Sequence, residues 1–240
     1  MLGGVRYGMA DAAVDAPEIP GAPYDLEFFF DPGCPFAWLT SRWATRVAEL
    51  RDLRIGWRFI SLRMVNEARD DLPEGYKSQQ VKGTEFLRIC AATRASVGND
   101  AVAALYTGWG EALWNQNRGD RPYRDARREI VEGIDIEKLL VDAGADPGLI
   151  AVAQTEDCDA LIRAETDLAL ARAGNDLGTP IITYGPPDGP SYFGPVISVM
   201  PADDEALELY DAIRTMSRFG WYSELKRTNR APLDLPLITG

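Results

Sequence analysis

The run Leu26-Glu27-Phe28-Phe29-Phe30 is apolar apart from one acid and ends in Asp31-Pro32-Gly33, where Pro and Gly stop a strand and turn the chain. From Pro35 the apolar positions take helical spacing for about fifteen residues. Residues 54–60 then alternate Ile55, Trp57 and Phe59 against Arg54, Gly56 and Arg58, the pattern of a half-buried strand. Strand, helix, strand is a βαβ unit, and a parallel crossover of this kind is almost always right-handed. Residues 61–78 are polar and contain Pro73 and Gly75, so they predict a loop leaving the sheet.

From about residue 78 to 174 the spacing is helical. Phe86, Ile89, Cys90, Thr93 and Val97 form one stripe and Val102, Leu105, Trp109 and Leu113 a second. Ile136, Leu139, Leu140 and Ala143 form a third, and Leu161, Ala164, Leu168 and Ala171 a fourth. Residues 98–100, 117–122 and 144–148 punctuate them. Residues 180–184 read as a short β-branched strand, 185–190 as a turn and 191–193 as the returning strand of a hairpin. Asp203, Asp204 and Glu205 supply an acidic first turn to a last helix carrying Leu207, Leu209, Tyr210, Ile213 and Met216. The pattern alone thus predicts an α/β domain over residues 24–77 and 175–229, with a helical insertion over 78–174. Residues 1–23 read as a loose arm, with Met9 an alternative start, and residues 230–240 as an extended, proline-spaced tail.

Composition changes the picture mainly by exclusion. At 240 residues, 46% hydrophobic and 26% charged, the chain can bury a full core. It shows neither a membrane-spanning apolar stretch nor the pattern of a signal peptide, which predicts a cytoplasmic protein. Its net charge is −12, with 37 acidic against 25 basic residues, and the acids are scattered. Nucleic acid and anionic membranes are therefore disfavoured as partners, because such binding needs clustered Lys and Arg. The absence of histidine rules out triads, zinc sites and general bases that use it. Three separated cysteines form neither a disulfide framework nor a metal site.

The candidate chemistry sits at Cys34. A free cysteine is most often a small buried hydrophobe. Here it lies between Pro32-Gly33 and Pro35 at a helix start, where unpaired N–H groups and the helix dipole favour the thiolate. That placement predicts a nucleophile with a lowered pKa. Cys90 and Cys158 lie in helical segments and read as core, the alternative being a remote resolving thiol.

Cys34-Pro35-Phe36-Ala37 resembles the Cys-x-x-Cys of thioredoxin-fold oxidoreductases of the DsbA type, with Ala37 in place of the second cysteine. The resemblance extends to Ser41-Arg42-Trp43, the stretch from Asn66 to Tyr76, Gly178-Thr179-Pro180, Phe193-Gly194-Pro195-Val196 and Glu224-Leu225-Lys226-Arg227-Thr228. Together these blocks look like the actinobacterial mycothiol-dependent nitroreductase group and span most of the chain. The resemblance implies a thioredoxin-like α/β fold with a large all-helical insertion of DsbA type. It also implies a cis bond before Pro180, facing the active cysteine, with Thr179 beside it. Pro35, Phe36, Ala37 and Trp38 would surround the thiol, and Asn66 and Tyr76 would orient a substrate. Read without the resemblance, Asn66 belongs to a capped loop and the aromatics to the core.

The implied activity is a monothiol oxidoreductase. Cys34 would work with a small thiol, mycothiol or similar, on a small electrophilic or disulfide substrate such as a nitroaromatic, in a monomer or homodimer. Two alternatives stay open: a thiol transferase or isomerase resembling the kappa class, and a binding protein without redox function. Trp114-Asn115-Gln116 departs from the group's usual His-Asn-Gln.

Overall fold

Strand β1, Leu26–Phe30, is buried along its whole length, and the chain leaves it through a turn closed by the Cys34 N–H donating to the Asp31 carbonyl. In this computed structural model, which describes residues 16–240, helix α1 follows over Pro35–Arg51. Pro35 takes the first helical position, where its missing N–H costs nothing, and Asp52 ends the helix in the left-handed conformation. Strand β2, Ile55–Phe59, pairs parallel with β1, Leu26 opposite Ile55 and Phe30 opposite Phe59.

A run of helices comes next: α2 Leu62–Val65, α3 Glu74–Ser96, α4 Asn99–Trp114, α5 Tyr123–Gly133 and α6 Ile136–Asp142. A 3-10 turn over Pro147–Gln154 and helix α7, Asp159–Ala173, complete it. Strands β3, Ile181–Tyr184, and β4, Ser191–Phe193, close the sheet. They precede α8, Asp203–Ser217, and the short α9, Pro236–Thr239. The sheet order is β2-β1-β3-β4 with β3 antiparallel to both neighbours. A βαβ half and a ββα half joined in that order, with helices inserted between, is the thioredoxin-like fold with a DsbA-type insertion. None of the helices among the described residues is long and apolar enough to cross a membrane.

Several expectations are corrected. β2 is not half-buried, because α7 covers its second face: Arg58 is enclosed there, donating to Glu27 and Glu165 at 2.8 Å each. Glu165, wholly buried, also accepts from Arg94 and from the Phe59 N–H, so compensated charge replaces apolar packing on that side. The stretch 61–78 is not simply a loop, since Ser61 caps α2 with its hydroxyl and α3 starts at Glu74. Helix α5 had no recognised stripe. The tail is not extended throughout, because Leu235 and Leu237 are buried at α9. Of the arm, residues 1–15, with Met9, lie outside the described residues. Its remainder packs on the sheet: Ile19 is buried, and Arg54 and Arg58 donate to the carbonyls of Gly21, Pro23 and Pro17.

Insertion and sheet share one core. Phe28, Phe30 and Trp57 from the strands join Phe86, Leu105, Tyr106 and Trp109 from α3 and α4. The insertion also grips α1. A Cβ on Gly110 of α4 would fall 2.1 Å from the Trp38 ring, so only glycine permits the contact. Arg42 lies 4.3 Å from that ring and donates to the Thr107 hydroxyl at 2.8 Å.

Candidate active site

Cys34 is the N-cap of α1, in extended conformation, and its sulfur accepts the Ala37 N–H at 3.4 Å. Its thiol donates to the Thr179 carbonyl at 3.4 Å, so residues 145 positions apart meet at the sulfur. The Thr179–Pro180 bond is cis, as the resemblance implied, and the Thr179 hydroxyl is tied to the Phe29 carbonyl at 2.9 Å. Strand β1 thereby holds both sides of the thiol: it leads into the Cys34 turn and anchors the loop that faces it.

Beneath the turn lies Asp31, 1% exposed. One carboxylate oxygen accepts the Gly33 N–H and the other the Leu62 N–H, both at 2.8 Å, which fixes the turn and the start of α2 together. Burial raises its pKa to about 6, against the pull of those two N–H groups and of the Arg127 charge.

Burial also pushes the Cys34 thiol up to about 12; the Asp31 charge adds to the rise, while the Ala37 and Phe36 N–H groups oppose it. This reverses the acidification expected from the helix start. The physical reason is that Cys34 is 9% exposed in the closed cleft, so a thiolate there loses most of its hydration. The resting group is a thiol that donates a hydrogen bond.

The other expected residues divide. Pro35 and Phe36 are half-buried at the helix start, and the Arg230 guanidinium lies 4.4 Å from the Phe36 ring. Ala37 is fully buried one turn beyond Cys34, and Thr179 and Pro180 are buried opposite. Trp38 points away from the cleft into the core, 2% exposed and edge-on to Tyr106, because α4 offers it the gap at Gly110. Asn66 caps α2 with its amide donating to the Leu62 carbonyl at 2.8 Å, the role of a capped loop. Tyr76 lines a groove of about 520 Å³ with Leu72, Pro73, Gln79, Tyr123 and Arg124, near enough to the Cys34 turn for the Asp31 charge to bear on its phenol. Cys90 is sealed in α3 and Cys158 caps α7; neither is bonded to Cys34.

Two residues of the site were missed in the sequence, Tyr123 and Arg127, both on α5. Their signal was the spacing Tyr123, Ala126, Arg127, Ile130, Val131, Ile134, masked by the charges around it. Asp31 was visible only as part of the turn.

The family model described as Rv2466c-like, mycothiol-dependent nitroreductase Rv2466c, matches residues 33–227. A Mycobacterium tuberculosis protein described as uncharacterised, Rv2286c, is 29% identical over 220 residues, covering 89% of this chain and 85% of its own. Among solved structures, a probable DsbA oxidoreductase from Streptomyces coelicolor superposes with a TM-score of 0.48 at 14% identity, over 85% of this chain and 93% of its own. Chlamydia trachomatis DsbA does so with a TM-score of 0.43 at 12% identity, over 83% and 89%.

Proposed function

The chain belongs to the Rv2466c-like family of mycothiol-dependent nitroreductases, and on that premise we propose that it is a monothiol oxidoreductase working through Cys34 with a low-molecular-weight thiol of the mycothiol type. The observation that carries the reading is the position of the Cys34 sulfur, held between the Ala37 N–H and the Thr179 carbonyl beside cis-Pro180. One turn further, where a resolving thiol would stand, there is only the buried Ala37 methyl.

With a disulfide substrate, the Cys34 thiol gives up its proton and attacks one sulfur as the thiolate, the S–S bond breaks, and the other sulfur leaves as a thiolate that takes up a proton. The mixed disulfide at Cys34 is then attacked by an external small thiol, which carries the first half away as a new disulfide and frees Cys34. With a nitroaromatic, two thiols supply two electrons and two protons; they leave as one disulfide while the nitro group becomes a nitroso group and water. Phe36 and Pro180 wall the sulfur, Tyr76 borders the groove through which the substrate enters, and Asn66 contributes by holding α2. The reduced thiol pool of the cytoplasm is where this exchange would run.

One observation favours a second reading. The resting Cys34 thiol is protonated and donates a hydrogen bond, as a hydroxyl would at this position. A bound cofactor thiolate could then accept that bond and act as the nucleophile itself, as in a thiol transferase. Mass spectrometry of the protein turned over with a small disulfide separates the two. The monothiol reading expects a Cys34 adduct and complete loss of exchange in Cys34→Ser. Activity retained in Cys34→Ser, with no adduct in the wild type, overturns it in favour of the transferase.

A further inference from the structure

Four arginines are buried in the described residues, and three of them meet a carboxylate. Arg58 and Arg94 share Glu165, and Arg88 takes Asp159 at 2.7 Å. The fourth, Arg127, is 4% exposed and has no such partner. Its Nε makes no hydrogen bond, and its polar neighbour is the Tyr123 phenol. The nearest acid whose charge it feels is Asp31, which spends both oxygens on the Gly33 and Leu62 N–H groups. A second donor beside it is also unspent: Trp114, fully buried, has an unpartnered indole N–H, and its ring lies 5.6 Å from the guanidinium.

A buried guanidinium without a carboxylate partner is costly, and a ligand carboxylate would offset that cost. Its location says which cleft. Tyr123, one turn before Arg127 on α5, lines the groove with Tyr76. Arg127 Nη2 would lie 3.6 Å from a Cβ on Gly33, the residue that precedes Cys34. The guanidinium therefore stands next to the turn that carries the thiol, one helical turn along α5 from a residue that lines the groove. A planar fork of N–H donors there matches a carboxylate in two-point fashion.

We propose that Arg127 is a specificity-determining residue of this cleft, receiving the carboxylate of a small anionic substrate whose reacting atom is presented to Cys34. This deepens the oxidoreductase reading and rests on Cys34 as the reacting centre. The Asp31 charge opposes an incoming anion, so the preference for an anion is the excess of the Arg127 attraction over that repulsion.

Two measurements on the wild type and two variants test it. Benzoate and benzyl alcohol have the same ring and differ in charge; calorimetric titration should show benzoate binding about tenfold or more tightly. The rate at which iodoacetate alkylates Cys34, relative to iodoacetamide and read by peptide mass spectrometry, should fall about tenfold in Arg127→Gln and be partly restored in Arg127→Lys. Benzoate binding no tighter than benzyl alcohol in the wild type overturns the proposal whatever Cys34 does, as does an advantage that survives in folded Arg127→Gln. A benzoate preference dependent on Arg127, found together with a Cys34 that neither alkylates nor exchanges, upholds this site and overturns the nucleophile reading instead.

Discussion

Whether burial or the helix start governs Cys34 can be decided by its alkylation rate against pH. The thiol is buried and pushed up to about 12 from an ordinary 9.0. At pH 8 a thiol at about 12 holds about one part in ten thousand as thiolate, against about one part in ten at 9.0. Since the thiolate is the reacting species, the resting protein should alkylate about a thousandfold more slowly than an unperturbed thiol at that pH. The rate should climb about tenfold per pH unit, without a plateau, from about pH 7 to 10. Asp31 titrates at about 6, so over this whole range it is ionised and repels the thiolate. Asp31→Asn should therefore move the Cys34 profile to lower pH. The assay is iodoacetamide labelling followed at the Cys34 peptide, with far-ultraviolet circular dichroism to confirm that each sample is folded. A profile that levels off at or below pH 8.5 refutes the dominance of burial, and it would mean that the N–H groups and dipole of α1 win at the sulfur.

Ala37→Cys should form an intramolecular bridge with Cys34 under mild oxidant, since the Ala37 amide already touches the sulfur at 3.4 Å; free thiol counts unchanged by oxidation would contradict this. Glu165→Gln strips the shared charge from Arg58 and Arg94 in a site closed to water, and should cost about 3–5 kcal/mol. In thermal unfolding that is a fall of roughly 6–20 °C, and a change below about 2 °C would show the network to be dispensable. Gly110→Ala should cost about 1–3 kcal/mol by driving Trp38 out of its rotamer, with a change in near-ultraviolet circular dichroism; an unaltered spectrum and stability would mean that α1 and α4 separate freely.

The chain's own pattern determined a good deal. Strands β1, β3 and β4 and helices α1 and α8 follow from local signals: an apolar run ended by Pro-Gly, a β-branched hairpin, a proline at the first helical position and an acidic first turn. Such signals act within a few residues, so they survive in one dimension. An α/β domain with a helical insertion could be read because a βαβ and a ββα half flank a helical stretch, the thioredoxin-like fold itself came from the resemblance of the motifs, and Cys34 stood out by its place at a helix start.

What the tertiary structure alone decided depends on groups far apart in sequence. Whether Arg58 faces water or Glu165, more than a hundred residues away, is not written in the alternation of β2, and α7 settles it. Trp38 is one residue from Ala37, yet the gap at Gly110 on α4 takes it out of the site. The same holds for charge. The sequence places Cys34 where a helix lowers a thiol pKa. The cleft, assembled from α1, the Thr179–Pro180 loop and the insertion, removes the water that a thiolate needs, and desolvation depends on the whole surrounding shell rather than on the local turn. Arg127, on a helix whose charges hid its inner face, enters the site only because α5 packs beside the Cys34 turn.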